Sequence, residues 1–331
     1  MAAHSVPRTM RAVVYDAYGG PERLRVERMP VPALRDGDVL VRVVSVGINL
    51  SDWEGLVGRP AYARLTGGLR RPRRRILGSD IAGTVVAVGA GVDRFRVGDD
   101  VYGDILERMG GFAEYAAAPQ GSLALKPAGL GFAEASALAQ PGAIALQAVA
   151  RGRPGERMLL NGAGGGSGSF AVQLAVAAGM HVTAVDNAGK QDYLRSLGAH
   201  EVLDYRETDF TRTGPYDLIV DFVAHRSVFA YRRALARGGR FFMVGGTVRT
   251  ILRLLTVGTV VGAVSGTRLT LLLVREGPEH FAPLAERVLA GDVAVHLDSA
   301  FPLERVPEAL ARHGEGRGLG KVVVQVGDPA R

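Results

Sequence analysis

Met158-Leu159-Leu160-Asn161-Gly162-Ala163-Gly164-Gly165-Gly166-Ser167-Gly168 is the stretch on which the reading of this chain turns. A short apolar run leads into a cluster of glycines, and a helical pattern carrying Phe170, Val172 and Leu174 follows at once. A dinucleotide-binding turn needs that order. Small residues let the backbone approach a pyrophosphate, and the helix N-terminus offers amide donors and a positive dipole end. A second strand pattern ends in an acid, Asp186, at the distance of about 20 residues that the dinucleotide fingerprint sets. The competing reading of the glycines is a structural tight turn. Asp186 at a strand end accepts ribose hydroxyls and disfavours a 2′-phosphate, whereas Lys190, four residues on, pairs with such a phosphate as a cation. Residue type alone leaves both open.

Outward from the turn, strand and helix patterns alternate. Strands are expected at 157–161, 181–186, 201–203, 217–221 and 240–244, with helices at 168–178, 190–197 and 227–236. Alternation of this kind calls for a parallel sheet with helices on both faces. Helices at 131–139 and 142–152 lead into it. The first third reads differently: valine-rich runs at 11–15, 24–28, 38–48 and 83–88 are separated by turn signals such as Gly19-Gly20-Pro21 and Asp36-Gly37-Asp38, and further strands are expected at 94–102 and 111–118. No helical period is sustained there, which predicts an antiparallel, barrel-like domain. The tail, with a helix at 278–290 and strands at 297–302 and 321–326, is expected to return to that first domain. The division is therefore 1–127 with 278–331, and 128–277.

Composition narrows the chemistry. The chain has 331 residues, 47% hydrophobic and 22% charged, too long for one core and too apolar for disorder. Cysteine is absent, which excludes disulfides, thiolate metal sites and cysteine nucleophiles. The net charge is +7, and of 40 basic residues only Lys126, Lys190 and Lys321 are lysines. The arginines are scattered among acids except at Arg70–Arg71 and Arg73–Arg75, a solvated loop or a rim for anionic substrates, so nucleic acid is not expected as a partner. Residues 1–11 lack the apolar core of a signal peptide, and the apolar stretch 251–274 is interrupted by Arg253, Arg268 and glycines. A cytoplasmic protein without a membrane span is the expectation.

Several motifs in order carry a family resemblance. These are Tyr18-Gly19-Gly20-Pro21-Glu22, Val46-Gly47-Ile48-Asn49-Leu50-Ser51-Asp52, Gly78-Ser79-Asp80-Ile81-Ala82-Gly83 and Val97-Gly98-Asp99-Asp100-Val101-Tyr102. The glycine turn with Ala171-Val172-Gln173-Leu174-Ala175, Ser196-Leu197-Gly198-Ala199 through Asp204-Tyr205, and Gly320-Lys321-Val322-Val323-Val324 complete the set. Over essentially its whole length the chain resembles the zinc-independent quinone oxidoreductase branch of the medium-chain dehydrogenase/reductase superfamily. The resemblance implies an α/β protein with a GroES-like β-barrel catalytic domain, a doubly wound Rossmann cofactor domain and an active site in the cleft between them. Zinc alcohol dehydrogenases of that superfamily carry cysteine where this chain has Asn49 and histidine where it has Ser79, so no metal is expected. Without a Lewis acid, alcohol oxidation loses its alkoxide stabilisation. The resemblance implies instead hydride transfer from NADPH, with NADH possible, to a quinone or an α,β-unsaturated carbonyl compound. The alternatives are an enoyl-type reductase or redox-neutral tailoring enzyme of secondary metabolism and, in another class, a non-catalytic NADPH-binding sensor or nucleic-acid-associated protein.

The same resemblance carries site residues. It implies that Asn161, Ala163, Gly164, Gly165, Gly166 and Ser167 hold the pyrophosphate, and that Asp186, Lys190 and Tyr205 hold the adenosine end. Val223, Gly245 and Gly246 lie by the nicotinamide, with His225 near that pocket. Lys321 reaches the cofactor or caps the last strand. Asn49 donates to a substrate oxygen or a ribose hydroxyl with Asp52 orienting it, or else Asn49 caps a turn and Asp52 the following helix. Tyr62 is a proton donor or a packed aromatic. The run 267–274 is the edge through which two copies would form a homodimer, or a pocket wall.

Overall fold

The computed structural model describes residues 6–327, so the N-terminal segment discussed above is described from Val6 onward. The chain divides into two units. One runs to Gln140 and resumes with Glu276–Leu289 and from Val295 onward; the other is Pro141–Arg275 with Ala290–Ala294. The sequence puts the first boundary earlier, at residue 127. The short helix Phe132–Ala135 goes with the first unit because the segment after it lies against a strand there: Ser136 Oγ is 2.8 Å from Ser45 Oγ.

In the second unit the apolar runs pair into a six-stranded sheet in which every strand is parallel to its neighbours. Its spatial order is Glu201–Asp204, His181–Asp186, Arg157–Asn161, Tyr216–Asp221, Leu235–Met243 and Arg268–Leu271. Met158, Leu159, Leu160, Leu218, Ile219 and Val220 are fully buried. A parallel strand is covered on both faces, and for that reason these segments read as unbroken apolar runs in the sequence. The chain starts at Arg157–Asn161, builds outward to one side, then crosses over to build the other. Connections therefore leave that strand in opposite directions, and a crevice opens at the carboxyl ends of the strands there.

The first unit has a seven-stranded, mostly antiparallel sheet. Asp38–Gly47 is its centre, flanked by Asp80–Val88 and by the late strand Lys321–Gln325. Asp100–Asp104 and Leu123–Leu125 extend one side, Leu297–Pro302 the other, and Tyr115–Pro119 also pairs with Asp38–Gly47. A hairpin, Thr9–Val14 with Arg25–Pro30, stands beside it. The tail thus returns to the first unit, with Val323 opposite Gly47.

Three features depart from the sequence reading. The first third carries two helices, Leu50–Val57 and Ala61–Gly67, too short to impose a visible period. Val306–Gly314 is a helix whose buried residues are Val306, Ala309 and Leu310, with a proline in its first turn. The strand expected over 267–274 is only Arg268–Leu271, at the edge of the parallel sheet. Before it, a helical run spans Val248–Ser265 with a π-helical segment at Leu254–Gly258. By length and composition this run could cross a membrane, and only 17% of it is buried.

The Gly166–Ala177 helix meets the turn before it at Gly168, where a β-carbon would lie 2.4 Å from the Gly162 carbonyl oxygen and 2.6 Å from Ala163 Cα. Both obstacles are backbone and cannot swing aside. Gly168→Ala is expected to lower the unfolding free energy by about 1–3 kcal/mol in urea titration. An unchanged midpoint would show that the helix can slide.

Candidate cofactor and active site

Every residue of the second unit that the sequence marks for cofactor binding lies at, or just beyond, the carboxyl end of one of the parallel strands. Gly162 takes φ +81°, so the chain can turn sharply out of the sheet. The amides of Gly162 and Ala163 both donate to the Val185 carbonyl, at 2.9 and 3.1 Å, and the Ala163 side chain is fully buried. Gly164 N–H donates to Asp186 Oδ2 at 2.9 Å. The turn is thereby tied to the next strand. Gly166 and Ser167 open the helix, where the first amides have no acceptor within the helix and are available to a phosphate.

Asn161 and Val223 are organised by a residue the motif does not include. Asp221, fully buried, accepts Asn161 Nδ2 at 2.8 Å, Val223 N–H at 2.8 Å and Ala224 N–H at 2.7 Å on Oδ1, while Tyr231 donates its hydroxyl to Oδ2 at 2.6 Å. These bonds hold Ala224 at φ +56°, an unusual value for alanine. They also press Val223 onto the turn, since a β-carbon on Gly162 would lie 2.9 Å from Val223 Cγ2. Gly245 and Gly246 follow the Leu235–Met243 strand with φ +73° and +116°. Gly245 faces open space.

At the other end of the crevice, Asp186 is taken up by protein. Its oxygens accept Gly164 N–H, Asn187 N–H at 2.9 Å and Asn187 Nδ2 at 3.1 Å, and the Lys190 ammonium lies 3.6 Å away. Both side chains of the pair are buried. Tyr205 is exposed, directly past the Asp204–Asp186 register pair, with the Arg206 guanidinium 5.5 Å from its ring centroid. Arg206 is a second cation here that the sequence reading passed over.

In the first unit, strand register gathers a buried polar network around Asn49. Lys321 Nζ donates to Asn49 Oδ1 at 2.7 Å and to the Ile48 carbonyl at 2.8 Å, and Asn49 Nδ2 donates to Ser79 Oγ at 3.2 Å. The Asp52 carboxylate bonds to backbone rather than to the Asn49 side chain. Its two oxygens accept the backbone amides of Asn49 and Gly78, each at 2.9 Å, so it fixes where the strand becomes a helix and how the Gly78 loop lies against it. Asp80 faces Asp104 across the sheet. Asp80 accepts the Gln140 amide on both oxygens at 3.1 Å, and Gln140 Nε2 donates to Asp104 at 3.2 Å. Burial pushes Asp52 up to about 7 and Asp104 up to about 6. Burial and the Asp104 carboxyl drive Asp80 well above the usual range. Burial also lowers Lys321, against the pull of the three carboxyls. Lys321 is therefore turned inward, 2% exposed.

Tyr62 stands apart from this network and donates its hydroxyl to Glu54 at 3.1 Å. Burial pushes Glu54 up to about 7 and Tyr62 above its usual value. His225 is exposed at the mouth of a cavity in the second unit, and Arg75 of the arginine-rich loop pairs with Asp16 and Glu27.

Comparison with known proteins supplies the family. Residues 35–128 match the alcohol dehydrogenase GroES-like domain family and residues 197–324 the zinc-binding dehydrogenase family. The chain is 30% identical to the chloroplastic quinone-oxidoreductase QR1 of Triphysaria versicolor, over 96% of this chain and 99% of that protein. The chain belongs to the quinone oxidoreductase branch of the medium-chain dehydrogenase/reductase superfamily. A chloroplastic NADPH-dependent alkenal/one oxidoreductase of Arabidopsis thaliana is 29% identical over 97% of this chain and 80% of that protein. The quinone oxidoreductase structure from Coxiella burnetii superposes with a TM-score of 0.87 at 26% identity, over 96% of this chain and all of that one. The first unit is thus GroES-like and the second a Rossmann domain, and the protein is an oxidoreductase of a nicotinamide-dependent family.

A catalytic zinc does not fit the Asn49 centre. An amide and a hydroxyl are poor zinc donors, and the Lys321 ammonium already donates to Asn49 Oδ1, where it would repel a dication. A dinucleotide does fit the glycine turn, whose bare backbone leaves room that any side chain would fill.

The Asp104 shift fixes a sign. Its carboxyl holds its proton to about 6 in the fold, against about 3.9 when unfolded, so its contribution to stability is full below about 4 and is lost as pH rises to about 6. Asp104→Asn abolishes this loss. The stability difference between wild type and variant is expected to change by up to about 3 kcal/mol across that window and then level off. Urea unfolding at several pH values measures it; a difference independent of pH would contradict the assignment.

Proposed function

We propose that the protein is an NADPH-dependent reductase of quinones and α,β-unsaturated carbonyl compounds that works without a catalytic metal. The observation that carries the proposal is the hydrogen-bonded chain Lys321–Asn49–Ser79. It puts a buried cation and a polarised amide where zinc relatives of the resemblance hold metal ligands. Relatives named for quinone and for alkenal/one reduction support the acceptor class.

The bound dinucleotide would supply a hydride. The chain's own residues do the rest. Gly166 and Ser167 present amides to the pyrophosphate, with Asn161, Ala163, Gly164 and Gly165 shaping the turn. Val223, Gly245 and Gly246 form a wall of small side chains and bare backbone for the nicotinamide. Asp186 supports NADPH over NADH because its oxygens are committed to Gly164 and Asn187 and its charge is offset by Lys190. A carboxylate so occupied neither captures the ribose hydroxyls nor repels a phosphate, and Lys190, Arg206 and Tyr205 face that end. Lys321 withdraws density from Asn49 through its carbonyl and makes Nδ2 a stronger donor to an oxygen that gains negative charge during reduction. Asp52 keeps Asn49 in place, and Tyr62 braces the two short helices through Glu54. The proposal includes a cytoplasmic homodimer paired through the Arg268–Leu271 edge.

Nicotinamide fluorescence titration tests the cofactor reading. Lys190→Ala is expected to weaken NADPH by about tenfold to a hundredfold, the loss of one charge-assisted contact, and to leave NADH within a few-fold. Equal loss for both nucleotides would place Lys190 in structural support only. Oxidation of NADPH by a panel of quinones and enones tests the acceptor reading, and tight NADPH binding with no turnover of any member would overturn it.

A further inference from the structure

A cavity of about 270 Å³ opens in the second unit between the loop after the Tyr216–Asp221 strand and the helical run that begins at Val248. Phe241 and Met243 form its apolar floor, and His225, Arg226, Arg249 and Arg253 stand around it. Among the described residues no acidic side chain lines it. Arg249 and Arg253 are one helical turn apart and so project from the same face, where like charges repel. Among the described residues neither guanidinium makes a hydrogen bond, an ion pair or a ring contact. Arg226 is held differently: its amide donates to the Tyr231 hydroxyl at 3.2 Å, and its guanidinium lies 5.5 Å from the Phe210 ring centroid. The buried acid beneath, Asp221, has both oxygens occupied and offers these arginines nothing.

We infer that this cavity binds a small organic anion, a carboxylate or phosphate ester carried on an apolar body. Guanidinium groups present paired donors that match both anions, and a floor of Phe241 and Met243 takes a ring or a short chain. The volume admits a molecule about the size of a substituted benzene and is too small for a dinucleotide. The cavity is also distinct from the adenosine end of the crevice, where Lys190 and Arg206 stand beyond the ends of other strands. Its rim is continuous with the nicotinamide wall: His225 follows Ala224, and a β-carbon on Gly246 would lie 3.7 Å from Ala224 Cβ. An anion seated there is therefore either part of the reducible acceptor or a separate ligand, and experiment distinguishes the two.

The direct test uses cofactor-free protein and calorimetric titration with phenyl phosphate, benzoate and, as the neutral control, benzyl alcohol. Arg249 and Arg253 are exposed, so the double variant R249A/R253A is expected to keep the wild-type unfolding midpoint and NADPH affinity. It should lose at least tenfold in affinity for the two anions, with R249K/R253K recovering part of the loss. Anion binding unchanged in R249A/R253A, or NADPH affinity falling with it, would overturn the inference. A second arm rests on the reductase reading and identifies the source. If the anion belongs to the acceptor, R249A/R253A raises KM for 4-carboxycinnamaldehyde and leaves cinnamaldehyde unaffected. If the ligand is separate, phenyl phosphate binds without competing with either aldehyde. Absence of turnover with every acceptor would remove the reductase reading and leave the calorimetric result standing.

Discussion

The hydrogen bond from Lys321 to Asn49 joins the last strand of the chain to the loop that leaves the central strand of the first unit. Around it, two buried carboxyls, Asp52 and Asp80, and the half-buried Asp104 share one ammonium. An arrangement of this kind is poor ballast, since charges removed from water are costly and unequal in number. Its value lies in specification. Every oxygen of Asp52 and both ends of the Asn49 amide have assigned partners, so the loop, the helix behind it and the Gly78 segment have one way to fit. Removal of Lys321 would leave acids without a cation, and removal of an acid would leave a backbone amide without an acceptor.

The second unit uses the same device with different residues. Asp221 is to the Asn161 end of the crevice what Asp186 is to the Gly164 end: a buried carboxylate that receives backbone amides and fixes a glycine-rich turn from the side. Lys190 offsets one of these charges, and the Tyr231 hydroxyl hydrogen-bonds the other. Flexible glycines thereby become a rigid cradle. The conformational freedom that permits Gly162 its positive φ is removed again by hydrogen bonds from both neighbouring strands.

Much of this was legible in residue order. The strand, glycine turn, helix and second acid follow each other at spacings fixed by covalent geometry, so Asn161–Ser167, Asp186 and the parallel sheet could be read directly. The helices at Leu50–Val57 and Ala61–Gly67 are too short to show a period, and Pro307 disguised the start of a helix that it in fact favours. The network around Asn49 was hidden for another reason. Asp104, Gln140 and Lys321 are brought to it by strand register across long separations, and nothing local to any of them announces burial. For Lys321 the sequence allowed contact with the cofactor; the register of Val323 with Gly47 turns it to Asn49. Asp52 was read both as orienting Asn49 and as capping the helix, and its bonds to two backbone amides are those of a cap.

The place of the Lys321–Gln325 strand in the chain has a bearing on synthesis. The parallel sheet of the second unit is complete in sequence by Leu271, whereas the central strand of the first unit, made early, receives its last partner only at Lys321–Gln325. During translation the N-terminal residues emerge first but cannot close. Asp52, Asp80 and Asp104 await a cation that the ribosome adds only after every strand of the parallel sheet has been made. The later part of the polypeptide can therefore reach its final arrangement before the earlier part does, and a chain that stopped short of Lys321 would carry a complete parallel sheet and an unfinished first unit.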